Sequence, residues 1–324
     1  MPILESQFIP SLPFKNGHFN TLYRPYFMKD TISYQRKRIT TWDKDFIDLD
    51  FSTVGSKKLG LLIHGLEGSS ESNYMIKTAK KLNTIGLDAI CMNLRGCSGE
   101  DNLLLSTYHS GKTEDIDFVV KHILENYEYE NIVIIGFSLG GNLTLKYLGE
   151  YVASLSSKIK GGIATSVPID IASAEKEMDK FKNKLYMEIF FKTMKNKVLE
   201  KHHKFPEYQL DKDKLFKATK FKHLEHLYTV PVFGFESPED YWQKASSKPY
   251  LSKIDRPTLL INAKDDSFLS KECFPFEEAK ASEYFYFTET EYGGHCGFMS
   301  SFTQSENNWL ENKIAIFIQQ KIQL

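Results

Sequence analysis

Residues 131–148 read NIVIIGFSLGGNLTLKYL. An apolar, β-branched run leads into Ser138, which is boxed by glycines at 136, 140 and 141, and a helix-forming stretch follows. A chain that passes from strand to helix within two residues needs glycine wherever the backbones come close, and it leaves the turn residue projecting from the end of a sheet. The Gly-x-Ser-x-Gly spacing alone is weak, arising by chance in on the order of one chain in ten at usual glycine frequency. The flanking strand and helix give it meaning, so the rest of the chain must supply a sheet to hold it.

It does. "LGLLIHG", "LDAICMNLRG", "NIVIIG", "IKGGIAT", "RPTLLINA" and "EYFYFTE" are short apolar runs, separated by segments of helical period. "SESNYMIKTAKKLNTIG" reads as a helix stopped by Gly86. "KTEDIDFVVKHILENY" reads as another, with Thr113 as its N-cap and Ile116, Val119, Val120, Ile123 and Leu124 on one face. "SENNWLENKIAIFIQQKI" reads as a final amphipathic helix. Strands alternating with helices predict an α/β fold with a mostly parallel, doubly wound sheet. "TISYQRKRITT" and "DFIDLDFS" alternate more regularly and predict an antiparallel start to it.

The pattern breaks between about 169 and 250. Residues 175–222 hold 14 Lys against 8 Asp or Glu, a surplus of 6 in a chain whose net charge is −1. The expected organisation is a core over 1–168, a helical lid insertion over 169–250, and the remainder of the core over 251–324. Two readings of the lid lysines stand. They form a solvated face, or, beside Phe181, Tyr186, Phe190, Phe191 and Phe205, a basic apolar rim that attracts anionic substrates.

The near-neutral charge argues against nucleic acid as a partner. No apolar run approaches the roughly 20 residues of a membrane span, and the N-terminus has no basic region ahead of its apolar residues, so neither an integral segment nor a signal peptide is expected. Cys91, Cys97, Cys273 and Cys296 show no paired spacing, which fits free thiols in a reducing cytoplasm. The nine histidines contain no HExxH pair, so no metal is expected.

A serine hydroxyl needs a base to take its proton, and the base needs an acid to hold its tautomer. α/β-Hydrolases present the three in the order Ser, Asp or Glu, His, each after a strand. Here "KDDSFLS" follows "TLLINA", and Asp266 is preferred to Asp265 because Asp-x-apolar-apolar turns the carboxylate inward. The base is His295 in "YGGHCGF". Oxyanion donors are expected at the N–H groups of Leu139, directly after the serine, and Leu66, in "HGLEGSS", with His64 and Gly65 shaping that turn. Arg95 and His109 are read chiefly as loop-tying residues. Cys296 would duplicate the serine and is set aside.

"GFSLGGN", "HGLEGSSESNYM", "NLRGCSG", "YHSGKTED", "NAKDDSF", "GGHCGF" and the N-terminal "KNGHFNTLYRPYF" together resemble the YheT-like branch of the α/β-hydrolases, over nearly the whole chain. That branch includes bacterial esterases, plant EMB8-like proteins and animal ABHD-type phospholipid and ester hydrolases. The resemblance implies Ser138, Asp266 and His295 as the triad. Two lid positions depart from the branch: Glu225-His226 stand where paired aspartates are usual, and Trp242 where tyrosine is usual. The expected activity is hydrolysis of short- to medium-chain carboxylic esters without metal or organic cofactor. O-acyl transfer to an alcohol and phospholipid or lipid ester hydrolysis are the alternatives. The expected partner is a small-molecule or lipid ester, and monomer and dimer are left open.

Overall fold

The computed structural model describes residues 2–302 and 308–324. Eight strands form one sheet: β1 (Gln35–Thr40), β2 (Phe46–Ser52), β3 (Lys58–Ile63), β4 (Asp88–Asn93), β5 (Asn131–Phe137), β6 (Ile159–Thr165), β7 (Thr258–Ala263) and β8 (Phe285–Thr290). Their order is β1-β2-β4-β3-β5-β6-β7-β8, with β2 antiparallel to both neighbours and every other pairing parallel. The fold is the α/β architecture that the alternation predicts.

Composition explains where each strand sits. β5 is buried from Ile132 to Phe137, as a parallel strand covered on both faces must be. β1 is the exposed edge, and its charges protect it from further pairing. Arg36 and Arg38 lie directly opposite Asp50 and Asp48 and bind them at 2.7 and 2.8 Å. At the other edge Ile3 bridges to Phe287 of β8.

Apolar clusters cover both faces. The helices Thr113–Asn126 and Leu139–Glu150 pack on one through Ile116, Val119, Ile123, Leu143 and Leu148. Asn73–Thr84 and Trp309–Phe317 pack on the other through Met75, Leu82, Leu310 and Ile314. Three helix starts differ from expectation, and the first of them, read from Ser70, begins at Asn73. Thr113 is the first helical residue and not the cap, and its hydroxyl donates to the Glu150 carboxylate at 2.6 Å. The C-terminal helix runs from Trp309 into a wider turn at Ile318–Ile322, while 305–307 of the expected helix lie outside the described residues.

Between β6 and β7 the chain is helical, with its own apolar cluster around Met187, Phe191, Leu215, Phe221 and Leu224. The longest of these helices, Lys184–Lys204, is fastened to the body by its lysines. Lys197 meets Glu67 at 2.9 Å, and Lys201 and Lys204 meet Asp101 at 3.0 and 2.6 Å. These three charges are neutralised in place and are not available as a basic rim.

Arg95, expected to tie loops, does so. Its buried guanidinium binds Asp115 bidentately at 2.8 and 2.9 Å, Asp43 at 2.8 Å and Asp45 at 3.1 Å, joining the β1–β2 turn, the exit of β4 and the helix Thr113–Asn126. Removing one member of a buried ion cluster strands the others without compensation. Arg95→Met is therefore expected to lower unfolding stability by about 3–5 kcal/mol, read as a shift in urea midpoint at unchanged slope.

Candidate active site

β5 ends at Phe137, and the helix Leu139–Glu150 begins one residue beyond Ser138. The backbone turns that corner with Ser138 at φ 52° and ψ −120°, a conformation that costs about 1–3 kcal/mol unless its surroundings enforce it. Glycine makes the enforcement possible. A Cβ on Gly140 would lie 2.4 Å from the carbonyl oxygens of Ile63 and His64, and one on Gly136 would lie 2.1 Å from that of Gly140. The Ser138 N–H donates to Thr165 O at 2.8 Å, which fastens the corner to β6. The hydroxyl is left projecting from the C-terminal edge of the sheet.

The loops after β7 and β8 reach the same edge. His295 Nε2 lies 2.9 Å from Ser138 Oγ, and His295 Nδ1 lies 2.8 Å from Asp266 Oδ2. Asp266 is buried, and its other oxygen accepts the Phe268 N–H at 3.0 Å. The Phe268 ring then packs against the imidazole, with centroids 4.3 Å apart. Asp265 points elsewhere: its Oδ1 accepts the Gly294 N–H at 2.8 Å. Burial pushes the Asp265 carboxyl up to about 6, the Asp266 carboxylate adds to the rise, and hydrogen bonds from Gly294 and Gly293 oppose it. The two neighbouring aspartates thus face different partners.

Leu139 is the first residue of its helix, so its N–H has no partner within the helix. Leu66 follows Gly65, where an added Cβ would be 3.0 Å from Ser138 Cβ, so that turn lies against the serine. His64 holds the turn. Its Nε2 accepts the Leu94 N–H at 3.0 Å, which leaves the proton on Nδ1 for the Gly65 carbonyl at 2.8 Å. Burial drives its pKa down to about 4, so the ring stays neutral and the turn keeps one shape. Glu67 continues the turn at φ 54° and is gripped by Tyr108, whose hydroxyl donates to its carboxylate at 2.6 Å and accepts its N–H at 3.0 Å.

A cavity of about 810 Å³ opens over Ser138, walled by the helix Gly17–Phe27, the β3 turn and the helices between β6 and β7. Glu225 in this wall is backed by Trp242, whose Nε1 donates to Glu225 Oε2 at 2.7 Å. Burial, with nearby carboxylates, raises both Glu225 and Glu175, so this wall favours neutral acids over charged ones. His109 also lines the cavity. Its Nδ1 accepts the Gly111 N–H at 3.1 Å, its ring meets Phe233 and Tyr241 edge to face, and burial lowers its pKa to about 3. Those bonds fit loop fixing. Cys296 is buried and its thiol pushed up to about 12 by burial, against thiolate chemistry. All four cysteines are free and buried.

The residues that sequence reading passed over lie on the helix Gly17–Phe27. Thr21 Oγ1 accepts the His295 N–H at 2.8 Å, Asn20 bonds Met299, and buried Arg24 reaches Gly297 O at 3.1 Å. They stand in "KNGHFNTLYRPYF", and the likeness of that segment to the branch was the only signal of their importance.

Comparison with known proteins agrees with this architecture. The α/β-hydrolase fold family matches residues 61–299. YheT of Escherichia coli (strain K12) is 29% identical over 320 residues, covering 95% of this chain and 92% of that protein. Phospholipase ABHD3 of Homo sapiens is 27% identical over 332 residues, covering 99% and 81%. Among solved structures, the esterase Pf2001 of Pyrococcus furiosus superposes with a TM-score of 0.60 at 18% identity, covering 90% of this chain and 93% of that one, a likeness of fold. Among the described residues no helix is long and apolar enough to cross a membrane. The chain belongs to the α/β-hydrolase fold family, in the branch it shares with YheT and ABHD3.

Proposed function

We propose that the protein is a serine carboxylester hydrolase acting on short- to medium-chain acyl esters, with Ser138 as nucleophile, His295 as base and Asp266 as the acid that orients it. The observation that carries this reading is the unbroken relay from Ser138 Oγ to His295 Nε2 at 2.9 Å and from Nδ1 to Asp266 Oδ2 at 2.8 Å, at the mouth of a cavity of about 810 Å³. Esterase and phospholipase relatives support the same reaction class.

The steps follow from the positions. Ser138 Oγ attacks the ester carbonyl as His295 Nε2 takes its proton, and Asp266 stabilises the imidazolium that forms. The carbonyl oxygen, now negative, accepts hydrogen bonds from the Leu66 and Leu139 N–H groups. His295 returns the proton to the leaving alkoxide, which departs as an alcohol and leaves the acyl group on Ser138. Water, deprotonated by His295, then releases the carboxylic acid and restores the serine.

The segment 169–250 serves as a lid over this cavity in the proposed organisation, with 1–168 and 251–324 forming the core. A cavity of this volume is of the size that holds a drug-sized ligand. A phospholipid or other lipid ester is the second reading, favoured by the likeness to phospholipase ABHD3 over 99% of the chain. A panel of p-nitrophenyl esters from acetate to palmitate, set beside phospholipid release assays, separates the two.

Ser138→Ala is expected to lower kcat/KM for p-nitrophenyl butyrate by about 10⁴-fold or more and to abolish fluorophosphonate labelling. Hydrolysis near wild type in that variant would refute the nucleophile assignment. The aspartates give an internal control. Asp266→Asn is expected to cost about 10⁴-fold in kcat, because an amide favours the wrong imidazole tautomer. Asp265→Asn keeps an oxygen for the Gly294 N–H and is expected to retain wild-type turnover. Its stability should also differ with pH. The Asp265 carboxyl titrates near 6 when folded and near 3.8 ordinarily, so ionisation destabilises wild type as pH rises from about 4 to about 6. The melting temperature of Asp265→Asn relative to wild type should climb across that window and stay level above it.

A further inference from the structure

We propose that the helix Gly17–Phe27 positions the catalytic base, and that the Thr21 hydroxyl holds His295 at its working distance from Ser138. This rests on the assignment of Ser138, His295 and Asp266 made under Proposed function. The loop that carries His295 is closed by a backbone bond from the Phe298 N–H to Gly293 O at 2.8 Å, and its remaining shape depends on its neighbours. Cys296 and Phe298 have positive φ, at 55° and 47°, a conformation that is costly for residues other than glycine and persists only when its neighbours impose it, whereas Gly293 and Gly294 adopt positive φ freely.

One face of the helix imposes it, with residues at positions 17, 20, 21 and 24, the spacing of successive turns. Thr21 Oγ1 accepts the His295 N–H at 2.8 Å and donates its own proton to Gly17 O at 2.7 Å, so the hydroxyl is held in one orientation. Asn20 grips Met299 at both ends, accepting its N–H at 2.9 Å and donating to its carbonyl at 3.2 Å. Arg24 donates to the carbonyls of Cys296 and Gly297 at 3.4 and 3.1 Å, to Asn73 Oδ1 at 2.9 Å, and to the buried Glu311 carboxylate. A Cβ on Gly294 would sit 2.3 Å from Gly17 O, and one on Gly17 would sit 2.2 Å from Asp265 O. The helix therefore touches the loop of the acid and the loop of the base at once, and it gauges the distance between them.

Proton transfer is sensitive to that distance, and a misplacement of about 1 Å far from the reacting bonds costs on the order of a hundredfold in rate. Thr21 touches no reacting atom. It is a positioning residue, so its loss should appear in kcat and not in KM.

The experiment compares Thr21→Val, Thr21→Ser and Arg24→Lys in the full chain, with p-nitrophenyl butyrate kinetics and urea unfolding on each. Valine keeps the branched shape and removes the acceptor. It is expected to lower kcat between about tenfold and a hundredfold while KM stays within about twofold. Serine restores the hydroxyl and is expected to recover kcat to within about threefold of wild type. Arg24→Lys keeps the charge beside Glu311 without the guanidinium fork. It should also lose kcat at constant KM, and it carries the test if Thr21→Val does not fold. A folded Thr21→Val protein with wild-type kcat and only a lower urea midpoint overturns the proposal, as does a loss that serine fails to rescue. Ser138→Ala is run alongside: activity there refutes the nucleophile assignment, whereas its inactivity beside a fully active Thr21→Val refutes positioning alone.

Discussion

The backbone of Ser138, held at φ 52° and ψ −120°, is the constraint on which the site depends. An L-residue does not rest there unaided. Three elements hold it: β5 before it, the helix after it, and the end of β3, whose carbonyls lie where a Cβ of Gly140 would have to go. Because β3 runs beside β5, the same approach that forces the corner also sets the Leu66 turn against the serine. The proposed oxyanion donors and the proposed nucleophile are thus products of one packing event. The parallel neighbours β6, β7 and β8 then bring the Asp266 and His295 loops to the same edge of the sheet.

Buried charge is managed by pairing, and the pairs do mechanical service. A guanidinium or carboxylate removed from water needs a partner of opposite sign with fitted hydrogen bonds. Arg95 gathers Asp43, Asp45 and Asp115, and in doing so closes the loops around the exit of β4. Arg24 pairs with Glu311 and so brings the first helix, the His295 loop and the C-terminal helix together. Lys197, Lys201 and Lys204 seat the helix Lys184–Lys204 on Glu67 and Asp101. Where no cation stands opposite, as at Glu175 and Glu225, desolvation pushes the carboxyl toward its neutral form. A surplus of lysine counted along the chain is therefore no measure of the potential at the cavity.

Local patterns carried much of the architecture. Apolar runs of strand length, helical periodicity between them, and glycines around Ser138 each follow from short-range sterics and burial, and such rules act over a few residues. They were enough for the α/β class, the mostly parallel sheet, the antiparallel start at β1 and β2, and the strand ends at which Ser138, Asp266 and His295 stand. Asp266 was preferred to Asp265 on the turn that follows it, and the geometry turns Asp266 to His295 and Asp265 to the Gly294 N–H. Thr113 shows where such rules stop. It has the chemistry of a cap, yet its hydroxyl finds Glu150 on another helix, a partner no local pattern can reveal.

By itself, then, the sequence determined the fold class, the corner at Ser138 and the order of three candidate residues, because each is written in a window of a few neighbours. Tertiary structure alone decided which lysines are neutralised, that Glu225 and Trp242 meet as a hydrogen-bonded pair, and what holds the His295 loop in place. Thr21 and His295 are 274 positions apart, and their 2.8 Å hydrogen bond exists only because a helix from the start of the chain packs under a loop near its end. Contacts of that range depend on the packing of the whole core, and no short window of residues encodes them.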